Sequence, residues 1–246
     1  MTATACHRPG ERQEVRKAED MTQRARPGRP RHAPASGPAG ATPREQILDA
    51  AAALFAERGF AATTTRLIAE RVGIRQASLY YHFAGKDELL IELLTTSVRP
   101  SLDAVRRIEG LVPGSASAAA ALYLLALIDV ETLSRTPHNI GTLYLLPEVQ
   151  HDRYDSFRAE RQELQDAYGR LGARTASPEV LAGATAQRLG ELLIQVTEVV
   201  IQIRRAREPD GADAQAIAAS CLRLCGCPQS TIDRARSEAA ELLARA

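Results

Sequence analysis

The chain has 246 residues, 45% of them hydrophobic and 25% charged, with no Trp and only 4% aromatic side chains, as in an ordinary globular protein. Its formal net charge of +1 excludes the overall basic excess of many nucleic-acid binders, so any such role must rest on where the charges sit. Ala, Leu, Glu and Arg dominate, which favours helix over sheet, and the greasiest stretches, 118–128 and 192–203, are too short or too interrupted for the ~20 apolar residues of a bilayer span.

Residues 1–41 are rich in Pro, Gly, Ala and Arg and lack both an apolar period and the apolar run of an export signal. They read as a disordered arm on a cytoplasmic protein. Arg24, Arg26, Arg29 and Arg31 lie in a stretch without any acid, suited to a phosphate backbone or a minor groove, or equally to a solubilising tail. The first helix begins at Pro43 with Thr42 as its N-cap, carries Ile47, Ala51, Leu54 and Phe55 at helical spacing, and stops at Gly59. A second runs from Thr64 or Thr65 to Gly73, a third from Arg75 to Phe83, and a fourth from Lys86 through Leu89, Leu90, Leu93 and Leu94. Further helices are expected near 115–134, 137–146, 152–171, 178–206, 212–225 and 229–245, punctuated by Pro113, Pro137, Pro147, Pro178, Pro209 and Pro228. No alternating strand pattern competes, and the fold class is all-α.

Two short helices joined by a tight Gly-containing turn and buttressed by a preceding helix form a helix-turn-helix. At about 100° per residue, Leu79 and Phe83 share the packing face of the third helix. Ala77, Ser78 and Tyr81 lie opposite, where a merely structural helix would carry charge. Small and hydrogen-bonding groups there suit close approach to base edges and thymine methyls. Tyr80 and His82 fall on the flanks.

The stretch Thr63-Thr-Thr-Arg-Leu-Ile-Ala-Glu-Arg-Val-Gly-Ile74, followed by Arg75-Gln-Ala-Ser-Leu-Tyr-Tyr-His-Phe83 and Lys86-Asp-Glu-Leu-Leu90, closely resembles the TetR family of bacterial repressors. The likeness covers about fifty residues, from Pro43 to Leu94. It implies that Thr64 caps the second helix and contacts phosphate, and that Arg75, Gln76, Ala77, Ser78 and Tyr81 meet bases or groove. It also implies that Tyr80, His82 and Lys86 grip the DNA backbone. Two positions depart from the family pattern. Leu67 stands where an acid is common, which removes a capping box, and Arg75 replaces a small capping residue with a phosphate- or base-binding group.

The expected organisation is therefore an arm (1–41), a helix-turn-helix domain (42–102) and a helical effector-binding and dimerising domain (103–246). Paired heads need a spacing of roughly 34–36 Å on successive major grooves, so a homodimer is expected. Its seam is placed on the helix near 178–206, where Leu189, Leu193, Val196, Val200 and Ile203 make a stripe that Leu192 and Val199 widen; the same pattern also fits an internal core helix. The resemblance further implies an effector pocket in the body, for which Tyr123, His138, Asn139, Tyr144, His151 and Tyr154 are the candidate polar or aromatic contacts, with an apolar small molecule as the generic ligand. The partners are thus operator DNA, a second copy and a small effector, with no membrane and no cofactor. An alternative replaces the effector by a partner protein or by oxidation of Cys221, Cys225 or Cys227. No metal site is expected, because these cysteines lack a paired zinc spacing and a fourth ligand. No catalytic Ser/His/Asp order or phosphate-binding Gly loop is present, so the chain is not expected to be an enzyme.

Overall fold

Thr42 opens the first helix, α1 (Pro43–Arg58), with a reciprocal cap: its hydroxyl accepts the Glu45 N–H, and the Glu45 carboxylate accepts the Thr42 N–H at 2.7 Å. In this computed structural model residues 40–111 and 117–243 are described; the Arg-rich arm lies outside them except for its last two residues. α2 (Thr65–Val72) starts at Thr64, whose hydroxyl accepts the Leu67 N–H at 3.2 Å, and ends at Gly73 in the left-handed region (φ 79°). A non-Gly residue would be strained at that turn, which lets α3 (Gln76–His82) follow after three residues. Arg75 stands at the N-cap of α3 without making a side-chain cap bond, in keeping with its departure from a small capping residue.

The long α4 (Lys86–Leu111) leads from the head into the body, so the expected boundary at 102/103 falls inside a continuous helix. α5 (Ala118–Arg135) is apolar on most sides and buries residues all around its circumference, as a central helix must. Around it pack α4, α6 (Asp155–Thr175), α8 (Ala186–Ala206), α9 (Gly211–Leu224) and α10 (Gln229–Leu243). α6 and α8 approach so closely that a Cβ on Gly190 would strike the Gln165 carbonyl, and one on Gly169 would lie 2.5 Å from the Ala186 carbonyl. No strand occurs among the described residues.

Two expected helices are different in the structure. The segment 137–146 is not α-helical: short 3-10 turns occupy Pro137–Leu143, Pro147–Gln150 and Asp152–Tyr154. His138 and Asn139 adopt φ of 56° and 51°, a conformation no α-helix tolerates. The single helix expected over 178–206 is broken at Ala184, which is extended; Thr185 recaps the chain by accepting the Arg188 N–H, giving a short α7 (Pro178–Gly183) before α8. An internal Thr with good capping chemistry marks that break.

Candidate nucleic-acid interface

The head is assembled from its inward faces. Ile47, Ile68, Leu79, Phe83, Leu89 and Leu90 are buried together and lock α1, α2, α3 and the start of α4. Thr63 is fully buried and donates to the Gly59 carbonyl at 2.9 Å, which shapes the loop before α2. Arg71 on α2 grips Glu57 on α1 through two bonds of 2.7 and 2.9 Å, and this guanidinium holds the Glu57 carboxyl below the usual range. Arg44 pairs with Glu92 and lies over the Phe83 ring, tying α1 to α4. With the packing face fixed by Leu79 and Phe83, the opposite face of α3 is committed to solvent.

That face carries the residues expected there. Tyr81 is 87% exposed, and Arg75, Gln76, Ala77 and Ser78 are exposed beside it. Gln76 donates to Thr65 Oγ1 at 2.9 Å, and Thr65 Oγ1 lies 3.1 Å from the half-exposed Tyr80 hydroxyl. This small network sets α3 against the start of α2, and Thr65, which sequence reasoning did not single out, is its centre. The signal for it was local: a second hydroxyl beside the capping Thr64. The His82 ring meets Tyr81 edge-on at 5.2 Å. Thr64 is exposed at the mouth of α2.

Lys86 is placed differently from expectation. Its ammonium donates to the carbonyls of Phe60 (3.0 Å) and Thr63 (3.3 Å) and sits 4.3 Å from the Phe60 ring centre. It clamps the α1–α2 loop to the start of α4, because those carbonyls need a donor and a cation over an aromatic face is favoured.

The expected dimer stripe divides in two. Leu189, Leu193 and Val200 are buried inside the chain's own core, Val196 and Ile203 are half-buried, and Leu192 and Val199 are each 43% exposed. The exposed line on α8 is therefore Leu192, Gln195, Val199 and Gln202, about one residue out of phase with the expected seam; the more apolar line packs inward because α5 and α6 lie there.

The expected effector contacts do not share one cavity. Tyr123 is buried on α5. Tyr154 is buried and donates to Asp87 at 2.8 Å, and His138 Nε2 lies 2.8 Å from Asp49, so both tie body to head. Asn139 donates to the Ile201 carbonyl on α8 at 3.0 Å, and His151 is exposed. Tyr144 alone joins an interior polar group, its hydroxyl 2.8 Å from Ser97 Oγ beside a cavity of about 10 Å³. Asp129 lines the same cavity and is held by Ser101 (2.7 Å) and Tyr168 (3.0 Å), its pKa pushed up to about 6 by burial. Nearby, Arg161 pairs with Glu198 at 2.6 Å. An acid between Ile128 and Val130 in the most apolar helix was the available signal for Asp129. Burial also raises the thiols of Cys221 and Cys225 to about 12 and pushes Cys227 upward, which suppresses the reactive thiolate.

Residues 47–93 match the family model described as "Bacterial regulatory proteins, tetR family". Over 51 residues the chain is 57% identical to the HTH-type transcriptional repressor KstR2 of Mycobacterium tuberculosis, a match spanning 21% of this chain and 26% of that relative. The chain thus spans about a quarter of the length of the curated relatives it matches. The crystal structure of Mycobacterium smegmatis AmtR is similar over most of the molecule, with a TM-score of 0.71, 36% identity, and coverage of 84% of this chain and 96% of that one. The structure of the ketosteroid transcriptional regulator KstR2 of Mycobacterium tuberculosis shares the fold, with a TM-score of 0.61 at 23% identity, covering 79% of this chain and 97% of that one. With the helix-turn-helix, the helical body and a 36%-identical structural relative covered almost end to end, the chain belongs to the TetR family of bacterial regulatory proteins.

Proposed function

We infer that this protein is a sequence-specific DNA-binding transcriptional repressor that acts as a homodimer and is released from a palindromic operator by a small-molecule effector. The observation that carries this reading is the exposed face of α3. Tyr81, at 87% exposure, projects beside small and hydrogen-bonding residues on a helix whose other face is locked into the core. Such a face can approach a major groove closely and exchange its hydrogen bonds to water for bonds to base edges. Arg75, Gln76, Ala77, Ser78 and Tyr81 would meet the groove; Thr64, Tyr80 and His82 would meet the phosphates on either side. The name of a relative 57% identical over this segment, a transcriptional repressor, supports repression.

The exposed apolar residues Leu192 and Val199 of α8 supply the seam for a second copy. A head (42–102) and a body (103–246) joined by an uninterrupted α4 would move together, and the His138–Asp49 and Tyr154–Asp87 contacts give the body direct purchase on the head. Gating then follows from population shift: operator binds the conformer with correctly spaced heads, and effector binds another more tightly. The burial of Cys221 and Cys225, with Cys227 half-buried, argues against control by oxidation of these three cysteines. No helix among the described residues is long and apolar enough to cross a membrane.

The test is a fluorescence-anisotropy titration of palindromic DNA from upstream of the gene, at several salt concentrations. Two chains per site are expected, with affinity falling steeply with salt as phosphates are neutralised. Tyr81→Ala should weaken operator binding by about tenfold or more, the worth of one good base contact, without lowering the melting temperature. Normal operator binding by that variant would refute the groove-facing assignment.

A further inference from the structure

We propose that the chain carries a binding site for a small amphiphilic cation, of the alkylammonium type, in the cleft where α1, α4 and the turn after α5 meet. The cleft has a volume of about 320 Å³, at the small end of the range for ligand pockets. Leu48, Leu93 and Ile140 give it an apolar lining. Asp49 and, one helical turn before it on α1, Glu45, one of whose oxygens is taken by the Thr42 cap, add two carboxylates, and no Lys, Arg or His belongs to the lining. The hydroxyls present cannot replace a cation. Thr96 already donates to the Glu92 carbonyl, Ser97 to the Leu94 carbonyl and Thr136 to the Thr132 carbonyl, each at 2.7 Å, so only their lone pairs remain to offer a ligand. An apolar cleft equipped with acceptors and negative charge, and with no donor to spare, selects a hydrocarbon body bearing an N–H cation. It rejects a carboxylate of the same length.

The cleft also adjoins a turn that links head and body. His138 and Asn139, next to its wall, are consecutive residues in the left-handed region, held there by contacts on both sides. Those contacts are His138 Nε2 to Asp49 at one end and Asn139 Nδ2 to the Ile201 carbonyl of α8 at the other. The turn therefore runs from the first helix of the head to the helix with the exposed dimer ridge. Asp49 both lines the cleft and holds the turn. An ammonium seated at Asp49 competes with His138 for that carboxylate and loosens the turn, which alters how the head is held. The binding site stands on the cleft alone; only its effect on operator affinity rests on the function proposed above.

Isothermal titration of the full chain with octylammonium, octanol and octanoate decides the matter. Octylammonium should bind saturably at one site per chain, with octanoate at least tenfold weaker. Asp49→Asn should reduce octylammonium affinity at least tenfold, towards that of octanol. Thr96→Trp, an exposed α4 residue that lines the cleft, should abolish binding while the variant retains the native melting temperature. Glu198→Gln, in the interior of the body, should leave it unchanged. Absence of saturable octylammonium binding, octanoate binding as tightly, or binding that survives Thr96→Trp but is lost in Glu198→Gln would each overturn the proposal. Operator titrations with and without octylammonium then read the regulatory consequence. A chain that fails to bind DNA leaves the calorimetry decisive for the cleft, and failed calorimetry beside intact operator binding removes the cleft alone.

Discussion

Asp129 is the buried charge whose consequences can be worked through most fully. It sits on the central helix, almost wholly sequestered, and receives one hydrogen bond on each oxygen, from Ser101 at 2.7 Å and Tyr168 at 3.0 Å. Burial opposes the ionised form, those two bonds favour it, and burial wins, with the nearby Glu198 adding repulsion; the carboxyl rises from its ordinary 3.8 to about 6. That rise corresponds to about 3 kcal/mol against the folded state when Asp129 is ionised. The sign follows from the protons bound. Between about pH 4 and pH 6 the native state holds this proton and the unfolded chain releases it, so this residue's contribution to stability falls as pH rises through that window. Above it the penalty is complete and constant. Asp129→Asn removes the titration while keeping the shape, at a cost of about 1 kcal/mol for a rearranged bond to Ser101 or Tyr168. The variant should therefore be less stable than the parent near pH 4 and more stable by about 2 kcal/mol near pH 7.5. Urea unfolding of both chains at one protein concentration, every half pH unit from 4 to 7.5, measures the difference and cancels every other titrating group. A difference that stays flat with pH would show that Asp129 keeps an ordinary pKa because the two hydrogen bonds balance burial. A difference of opposite slope would mean the carboxylate is held ionised.

Three other outcomes follow from packing and burial. Leu79→Ala empties a fully buried site between α3 and the rest of the head and should cost about 2–5 kcal/mol, read as a lowered urea midpoint. Gly190→Ala forces a methyl against the backbone carbonyl of Gln165, which cannot swing aside as a side chain could; a loss of about 1–3 kcal/mol is expected, whereas Gly183→Ala, which meets nothing within 4 Å, should be nearly silent in the same melt. Cys221 and Cys225 should resist iodoacetamide at pH 8 in the native chain and react once urea exposes them; native labelling within minutes would contradict the burial that raises both thiols to about 12.

The head was legible in the sequence because its signals are local and agree with one another. Thr42 and Thr64 cap, Gly59 and Gly73 terminate, and the short period of α3 separates Leu79 from Tyr81 without knowledge of any neighbour. The body was legible only as helices. Whether Leu193 or Leu192 faces the core of its own chain depends on where α5 and α6 lie, and a stripe of Leu and Val looks the same whether it meets its own chain or another. The richer stripe packs inward because burying it removes the most apolar surface from water. What remains exposed is a poorer line, Leu192 and Val199 alternating with Gln195 and Gln202. The turn at His138 and Asn139 was beyond sequence reading for a related reason. His and Asn enter the left-handed region more readily than most residues but do not require it, and the contacts to Asp49 and Ile201 that hold it come from partners 89 and 62 residues away. Local rules therefore describe the part of this protein that must present one fixed face, while long-range contacts govern the parts through which the body could act on that face.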